Sequence, residues 1–135
     1  MPNPPDSGLP NVAMYDTTTI VGVVIDKVTG LQWQRVIDPG SYMPSDAVTY
    51  CANLALAGGC WRLPTRIELV SLVDFTKSSS GSTIDSVAFP DTPGTAFGTS
   101  SPLAGSPSGA WGVNFFGGNT GYSDVSNAFR VRCVR

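Results

Sequence analysis

Histidine is absent from the 135 residues, which removes the commonest general base, the commonest metal ligand and the Ser–His and Cys–His nucleophile pairs together. Charge is also scarce: Lys and Arg total 8 against 10 Asp and Glu, a formal net charge of −2. So weak and acidic a balance attracts no phosphate backbone, and nucleic acid is not an expected partner. No apolar run approaches the roughly 20 residues that cross a bilayer, so membrane insertion is not expected and Ile20–Ile25 reads as a strand. The opening "MPNPPDSGLPNVAMYD" has no basic start leading into an apolar stretch, so no signal peptide is read there. The 3 cysteines, Cys51, Cys60 and Cys133, match no Cys-x-x-Cys spacing and, without His, cannot complete the usual four-ligand zinc site. One disulfide and one leftover thiol is the arithmetic, and no metal or other cofactor is expected.

What is present is apolar and heavily punctuated. With 41% apolar and 13% charged residues the chain collapses around a core, and its length suits one domain. The 15 Gly and 11 Pro favour short strands, turns and long loops over a helical bundle, which predicts an irregular α+β or mostly-β domain. Residues 1–19 read as a Pro-rich tail or linker and residues 20–135 as the domain. "IVGVVIDKVTGLQWQRV" predicts a hairpin turning at Thr29-Gly30, with Trp33 towards the core. In "MPSDAVTYCANLALAGG" Ser45 is placed to cap a helix. Its buried stripe is Ala47, Tyr50, Cys51 and Leu54, and Gly58-Gly59 close it.

Trp61 and Leu63 alternate as on a short strand, and Pro64 sets the entry to the next helix. There Thr65-Arg66-Ile67-Glu68 is a capping box: the Thr hydroxyl and the Glu carboxylate satisfy free backbone N–H groups. Leu69, Leu72 and Val73 follow as the buried stripe. From Thr76 to Gly109 a Ser/Thr/Gly/Pro-rich stretch reads as a long excursion pinned by Ile84, Val87, Phe89, Phe97 and Leu103. "AWGVNF" alternates Trp111, Val113 and Phe115, Gly117-Gly118 form a turn, and "AFRVRCVR" closes the chain as a strand. On it Val131 and Cys133 share one face, and Arg130 and Arg132 the other.

Five motifs in order, "VIDKVTGLQWQR", "AVTYCANL", "WRLPTRIELVSLVD", "AWGVNFFGG" and "VRCVR", resemble the family named for the C-terminal domain of the Legionella collagen-like adhesin, over Val23 to Arg135. "RLPTRIE" is also similar to a run in the formylglycine-generating enzymes. Both resemblances imply a C-type lectin-like fold: two short helices packed on small antiparallel sheets with long irregular loops. They further imply a Cys51–Cys133 disulfide joining the first helix to the last strand, which would contribute roughly 4 kcal/mol and belongs in an oxidising compartment. A Cys51–Cys60 bond is the competing arrangement. The resemblance places the chain outside the cell or on its surface, as a non-catalytic, adhesin-type module for polysaccharide, with sulfated glycan one ligand class. Where relatives carry an aromatic-Trp-Ser-Ser run this chain has Phe97-Gly98-Thr99-Ser100-Ser101, so a flat stacking surface is missing. The Glu-Pro-Asn and Gln-Pro-Asp triplets that hold calcium in animal lectins are missing too, leaving calcium without a motif.

Two groups of candidate residues follow. Trp33, Cys51, Trp61, Arg62, Thr65, Glu68, Trp111 and Cys133 are read as architecture. Tryptophans alternating on strands usually fill cores, capping accounts for Thr65 and Glu68, and Arg62 is expected buried against backbone carbonyls. Ligand contact is assigned to Asn114, Phe116, Asn119, Tyr122, Ser123, Asp124 and Asn127, in what reads as one exposed loop of the residue types adaptable binding loops use. Arg130 and Arg132 join them as oxyanion ligands; with Arg135 they read equally well as solvated edge-strand charges. The segment Ala110–Arg135 also resembles the hypervariable end of retroelement-diversified proteins, which implies a cell-surface protein as ligand. Self-association as a trimer is a further partner option. An oxidoreductase like the formylglycine-generating enzymes is the third reading, in which Cys60 lacks an activating base.

Overall fold

The predicted hairpin forms the first sheet. In a computed structural model describing residues 2–4, 7–77 and 81–135, β2 (Val23–Asp26) and β3 (Gln32–Gln34) pair antiparallel with Val24 opposite Trp33. The buried Asp26 carboxylate fixes the turn, accepting from the Val28 N–H at 2.9 Å and the Thr29 hydroxyl at 2.7 Å. A third strand, β1 (Tyr15–Asp16), joins the other edge of β2 with Tyr15 opposite Asp26. Tyr15, partly buried, packs edge-on against Phe89 of the core at 5.2 Å. Residues 1, 5 and 6 of the predicted tail and 78–80 of the predicted excursion lie outside the described residues.

Helix α1 (Pro44–Asn53) starts one residue before the expected cap: Met43 is the N-cap, without a side-chain bond, and Pro44 sits where its missing N–H costs nothing. Ala47 and Cys51 are buried, and Tyr50 and Leu54 pack beside them. The helix ends at Asn53, ahead of Gly58-Gly59, which close a separate short turn at Leu56–Gly58. Helix α2 (Arg66–Val70) carries the predicted capping box in full.

The largest departure is the second sheet, β4 (Ala96–Leu103), β5 (Ser106–Asn114) and β6 (Thr120–Asp124), in the order β4-β5-β6. The end of the expected excursion, from Ala96 onward, and Asn114 and Thr120–Asp124 of the expected binding loop therefore lie in antiparallel strands. Burial of Phe97 against Val113, which lie opposite each other, supplies the pairing energy that Gly- and Ser-rich composition does not advertise. Among the excursion's pins, Ile84, Phe89 and Phe97 are buried, Leu103 is half-buried and Val87 is exposed. At the β5–β6 turn Gly118 has φ +72°, and a Cβ there would lie 2.5 Å from Val73 Cγ1, so only glycine fits.

The closing segment is no sheet strand. It runs between both halves through isolated bridges: Val134 to Trp33 and Arg62, Phe129 to Tyr42, Arg130 to Phe97. Its alternation sorts the core into two clusters. Val131 and Cys133 join Val23, Ala47, Cys51, Trp61 and Leu63, while Val134 joins Val24, Trp33, Leu69, Leu72, Ile84, Phe89, Phe97, Val113 and Phe115. Cys51 and Cys133 form a disulfide across a sequence separation of 82, with Cα atoms 5.5 Å apart, and Cys60 is the free cysteine. The architecture is α+β: two three-stranded antiparallel sheets, two short helices and long connections.

Replacing Cys51 and Cys133 together by Ser should lower stability by about 4 kcal/mol in urea unfolding, the loop-entropy cost of opening so long a loop. Cys60→Ser should leave the midpoint unchanged, and thiol titration of the unreduced wild type in denaturant should count a single thiol.

Candidate functional site

The residues read as one loop are divided by the pleat of β6. Successive side chains of a strand point to opposite faces, so Gly121 and Ser123 share one face and Thr120, Tyr122 and Asp124 the other. Register extends the division across the sheet: Ala96 lies opposite Asn114, Gly98 opposite Gly112, Gly112 opposite Gly121 and Ala110 opposite Ser123. This outer face carries small residues and amides. The inner face carries Phe97, Val113 and Trp111, with Tyr122 opposite Trp111.

On the outer face a cleft of about 150 Å³ opens over Ala96, Gly112 and Gly121, lined by Asn114, Asn119, Ser123 and Phe129, with Tyr122 at its edge. Its floor is low because of its glycines: a Cβ on Gly112 would meet the Phe97 carbonyl oxygen at 3.1 Å, whereas one on Gly121 would meet nothing within 4 Å. The walls are held by local bonds. The Asn114 side-chain oxygen accepts from the Phe116 N–H at 2.9 Å, and the Asn127 amide donates to the Ser123 hydroxyl at 2.6 Å. No carboxylate, amine or thiol lines the cleft among the described residues. A neutral array of amide and hydroxyl groups beside an aromatic ring can hydrogen-bond and stack.

The inner face ends in a layered edge. The Arg66 guanidinium lies 4.2 Å over the Trp111 ring, and Tyr122 meets the same indole edge-on at 5.8 Å, its side chain 67% exposed. Trp111 is thus half-buried, held between a cation and a ring rather than sealed in the core like Trp33 and Trp61. Asp124 is exposed and held as a turn cap by the Ser126 N–H at 2.8 Å, with its carboxyl kept below the usual range by those Ser126 contacts. Phe116 is exposed beside Gly94 in the β5–β6 turn, away from the cleft. A larger open groove of about 450 Å³ lies along α1 between Tyr42, Asp46, Thr49, Tyr50 and Asn53, and none of the predicted site residues lines it.

Burial takes Arg132 out of reach of an oxyanion ligand. Arg132 is fully buried; it donates to the carbonyl oxygens of Gln34 (2.5 Å) and Arg35 (2.8 Å) and to the Thr92 hydroxyl (2.6 Å), with the Phe89 ring 4.8 Å away. Burial without a carboxylate lowers its pKa to about 9. Arg130 turns to the Gly40 carbonyl at 3.3 Å, and Arg135 to those of Ala57 and Gly59 at 2.9 Å while stacking on Trp61 at 4.8 Å. Each of the three thus donates to carbonyls of another segment, and Arg132 alone is sealed from solvent. Arg62 reverses its expectation too: half-exposed, it grips Glu68 through two bonds of 2.9 and 2.6 Å. Glu68 accepts from the Thr65 N–H at 2.8 Å as well, which completes the box.

A family model described as the Lcl C-terminal domain matches residues 22–135. The chain belongs to this family. In this Lcl C-terminal domain the Trp-Arg-Leu-Pro-Thr segment packs as scaffold: Trp61 and Leu63 are buried, Arg62 pairs with Glu68 and Thr65 caps α2. No curated protein matches the chain. Sequence reasoning missed Ala96, Gly112, Gly121 and Phe129 of the cleft and Arg66 over Trp111, because each depends on which strand lies beside which.

Two bonds from Arg62, then the Thr65 contacts, pull the Glu68 pKa from 4.5 to about 2. A depressed carboxyl pKa contributes stability above its unfolded value and loses it as pH falls through the folded one. Glu68→Ala should therefore cost about 1 kcal/mol at pH 7, chiefly as a lost cap. Urea unfolding of variant and wild type across pH 7 to 2 should show that difference shrinking below pH 4.5.

Proposed function

We propose that this domain is a non-catalytic, adhesin-type binding module that takes a polysaccharide into the outer-face cleft of β4–β6. The observation that carries the reading is the convergence of Asn114, Asn119 and Ser123, read from sequence as ligand contacts, over a floor of Ala96, Gly112 and Gly121. Sugars present alternating hydroxyls and apolar ring faces, and amides, a hydroxyl and the Phe129 ring offer the complement. The family and the disulfide support a place on the cell surface or outside it, where cystines persist. No helix of the described residues is long and apolar enough to cross a membrane. The oxidoreductase reading loses support because the bond to Cys51 occupies Cys133 and leaves Cys60 as the single free cysteine.

A protein ligand is the second reading. It is favoured by the exposure of Phe116, Asn119, Tyr122 and Asp124 on one short stretch whose core contacts are made by other residues. Such a surface tolerates change without loss of fold.

Gly121→Val should fill the cleft from its floor, since a Cβ there is unopposed and a β-branched residue suits a strand. With Asn119→Ala as the amide-removing partner, each variant should keep the wild-type melting temperature and weaken polysaccharide binding about tenfold or more. Binding would be found on a glycan array and quantified by calorimetry. Unchanged affinity in both would remove the cleft from the account. Tyr122→Ala, weakening a protein ligand but no glycan, would favour the second reading.

A further inference from the structure

The arginines of this chain spend their donors inside the protein, with one exception. Arg35 donates to the carbonyls of Val87 and Ala88, Arg62 grips Glu68, and Arg130, Arg132 and Arg135 hold carbonyls of distant segments. Arg66 is fixed differently. Its backbone N–H donates to the Ser101 hydroxyl at 2.9 Å and its guanidinium lies 4.2 Å over the Trp111 ring, so stacking, not hydrogen bonding, sets where the cation sits. Among the described residues no acceptor takes a bond from that guanidinium and no carboxylate pairs with it.

The groups around it lack acceptors in the same way. Trp111 is half-buried and its indole offers a donor only, and the exposed Tyr122 meets that indole edge-on. Neither the indole N–H nor the Tyr122 hydroxyl bonds to another described residue. Donors held around one ring with no acceptor supplied suit a ligand that brings acceptors, and the fork of a guanidinium matches a carboxylate. The class of ligand follows from the neighbouring charges. Asp124 stands two residues along β6 on the face of Tyr122, exposed and paired with no cation among the described residues, while Arg62 is neutralised by Glu68. A polyanion such as a sulfated glycan would find one free cation here and Asp124 beside it, which is no basic field. A protein surface carries both signs of charge and can answer Arg66 and Asp124 together. Trp, Tyr and Arg are also the residue types that dominate protein–protein contacts.

We propose that Arg66, Trp111 and Tyr122 anchor a protein ligand by taking an Asp or Glu side chain of that ligand onto the Arg66 guanidinium, with Asp124 meeting a cation of the same ligand. The inference rests on the second reading above, a protein ligand, and names the chemistry such a ligand brings. It also separates two surfaces. Arg66 and Trp111 line no part of the outer-face cleft, so a protein carboxylate and a glycan are held on opposite sides of β5–β6. Stacking on Trp111 orders the guanidinium before the ligand arrives, which lowers the cost of binding.

A random peptide library displayed on phage, selected on the full chain with no polysaccharide present, supplies the probe. Selected peptides should carry an Asp or Glu, and their binding, read by calorimetry, should weaken about tenfold or more with Arg66→Gln and lose strength in high salt. Arg66→Glu should bind the same peptide as poorly and recover when the acidic residue of the peptide is changed to Lys. A merely structural role for Arg66 would not produce that reversal. Circular dichroism and melting temperature verify that each variant is folded. No selected peptide, selected peptides without an acidic residue, or wild-type capture of dextran sulfate that Arg66→Gln abolishes would overturn the proposal. Binding lost with Tyr122→Ala but kept with Arg66→Gln would overturn this inference alone and leave a protein ligand in place.

Discussion

The last five residues are the constraint on which the rest depends. Val131–Arg135 lie between the sheets, and alternate side chains supply both hydrophobic clusters. The Cys133 bond to α1 holds them from one side; bridges from Val134 to Trp33 and Arg62 hold them from the other. Backbone groups here cannot turn to water, so each needs a partner, and Gln32, Gln34 and Arg62 provide them. Arg132 belongs to the same device. A cation sealed without a carboxylate persists where carbonyls gather around it, and those of Gln34 and Arg35 are fixed by the segment Arg132 itself occupies.

A rigid centre of this kind frees the second sheet for other uses. Its inner face is committed to Phe97, Val113 and Phe115, while its outer face at the β6 end bears glycine, alanine, asparagine and serine over a cleft. Small residues there are a cost in packing and a gain in access. They keep the floor low enough for a ligand to approach the backbone. The same pleat that builds the cleft sends Tyr122 away from it, to Trp111 and Arg66. Adjacent residues thus serve different surfaces, so a stretch that reads as one binding loop is two faces and an edge.

Architecture was legible wherever a local rule has one outcome. The capping box of Thr65 and Glu68 and the Thr29-Gly30 hairpin are set by residues within a few positions of each other, so their geometry is a property of short segments. The resemblance to the Lcl C-terminal domain implied the Cys51–Cys133 bond, and both cysteines fall on inward faces. The second sheet was harder to see. Gly, Ser, Thr and Asp are shared by turns and edge strands, and what made Thr120–Asp124 a strand was β5 beside it, with Trp111 opposite Tyr122. Arg132 was misplaced because alternation told which residues share a face but not that the second face was also covered.

By itself, then, the chain's composition and local patterning determined an α+β domain without histidine chemistry, its hairpin, its capped helix and its inward cysteines, because these rest on interactions between near neighbours. Only the tertiary structure decided that Arg132 turns inward and that Asn114 and Ser123 share a cleft with Ala96 and Phe129. Those facts depend on which segments meet across long separations in sequence, and burial and hydrogen bonding between such segments leave no periodic trace in either one alone.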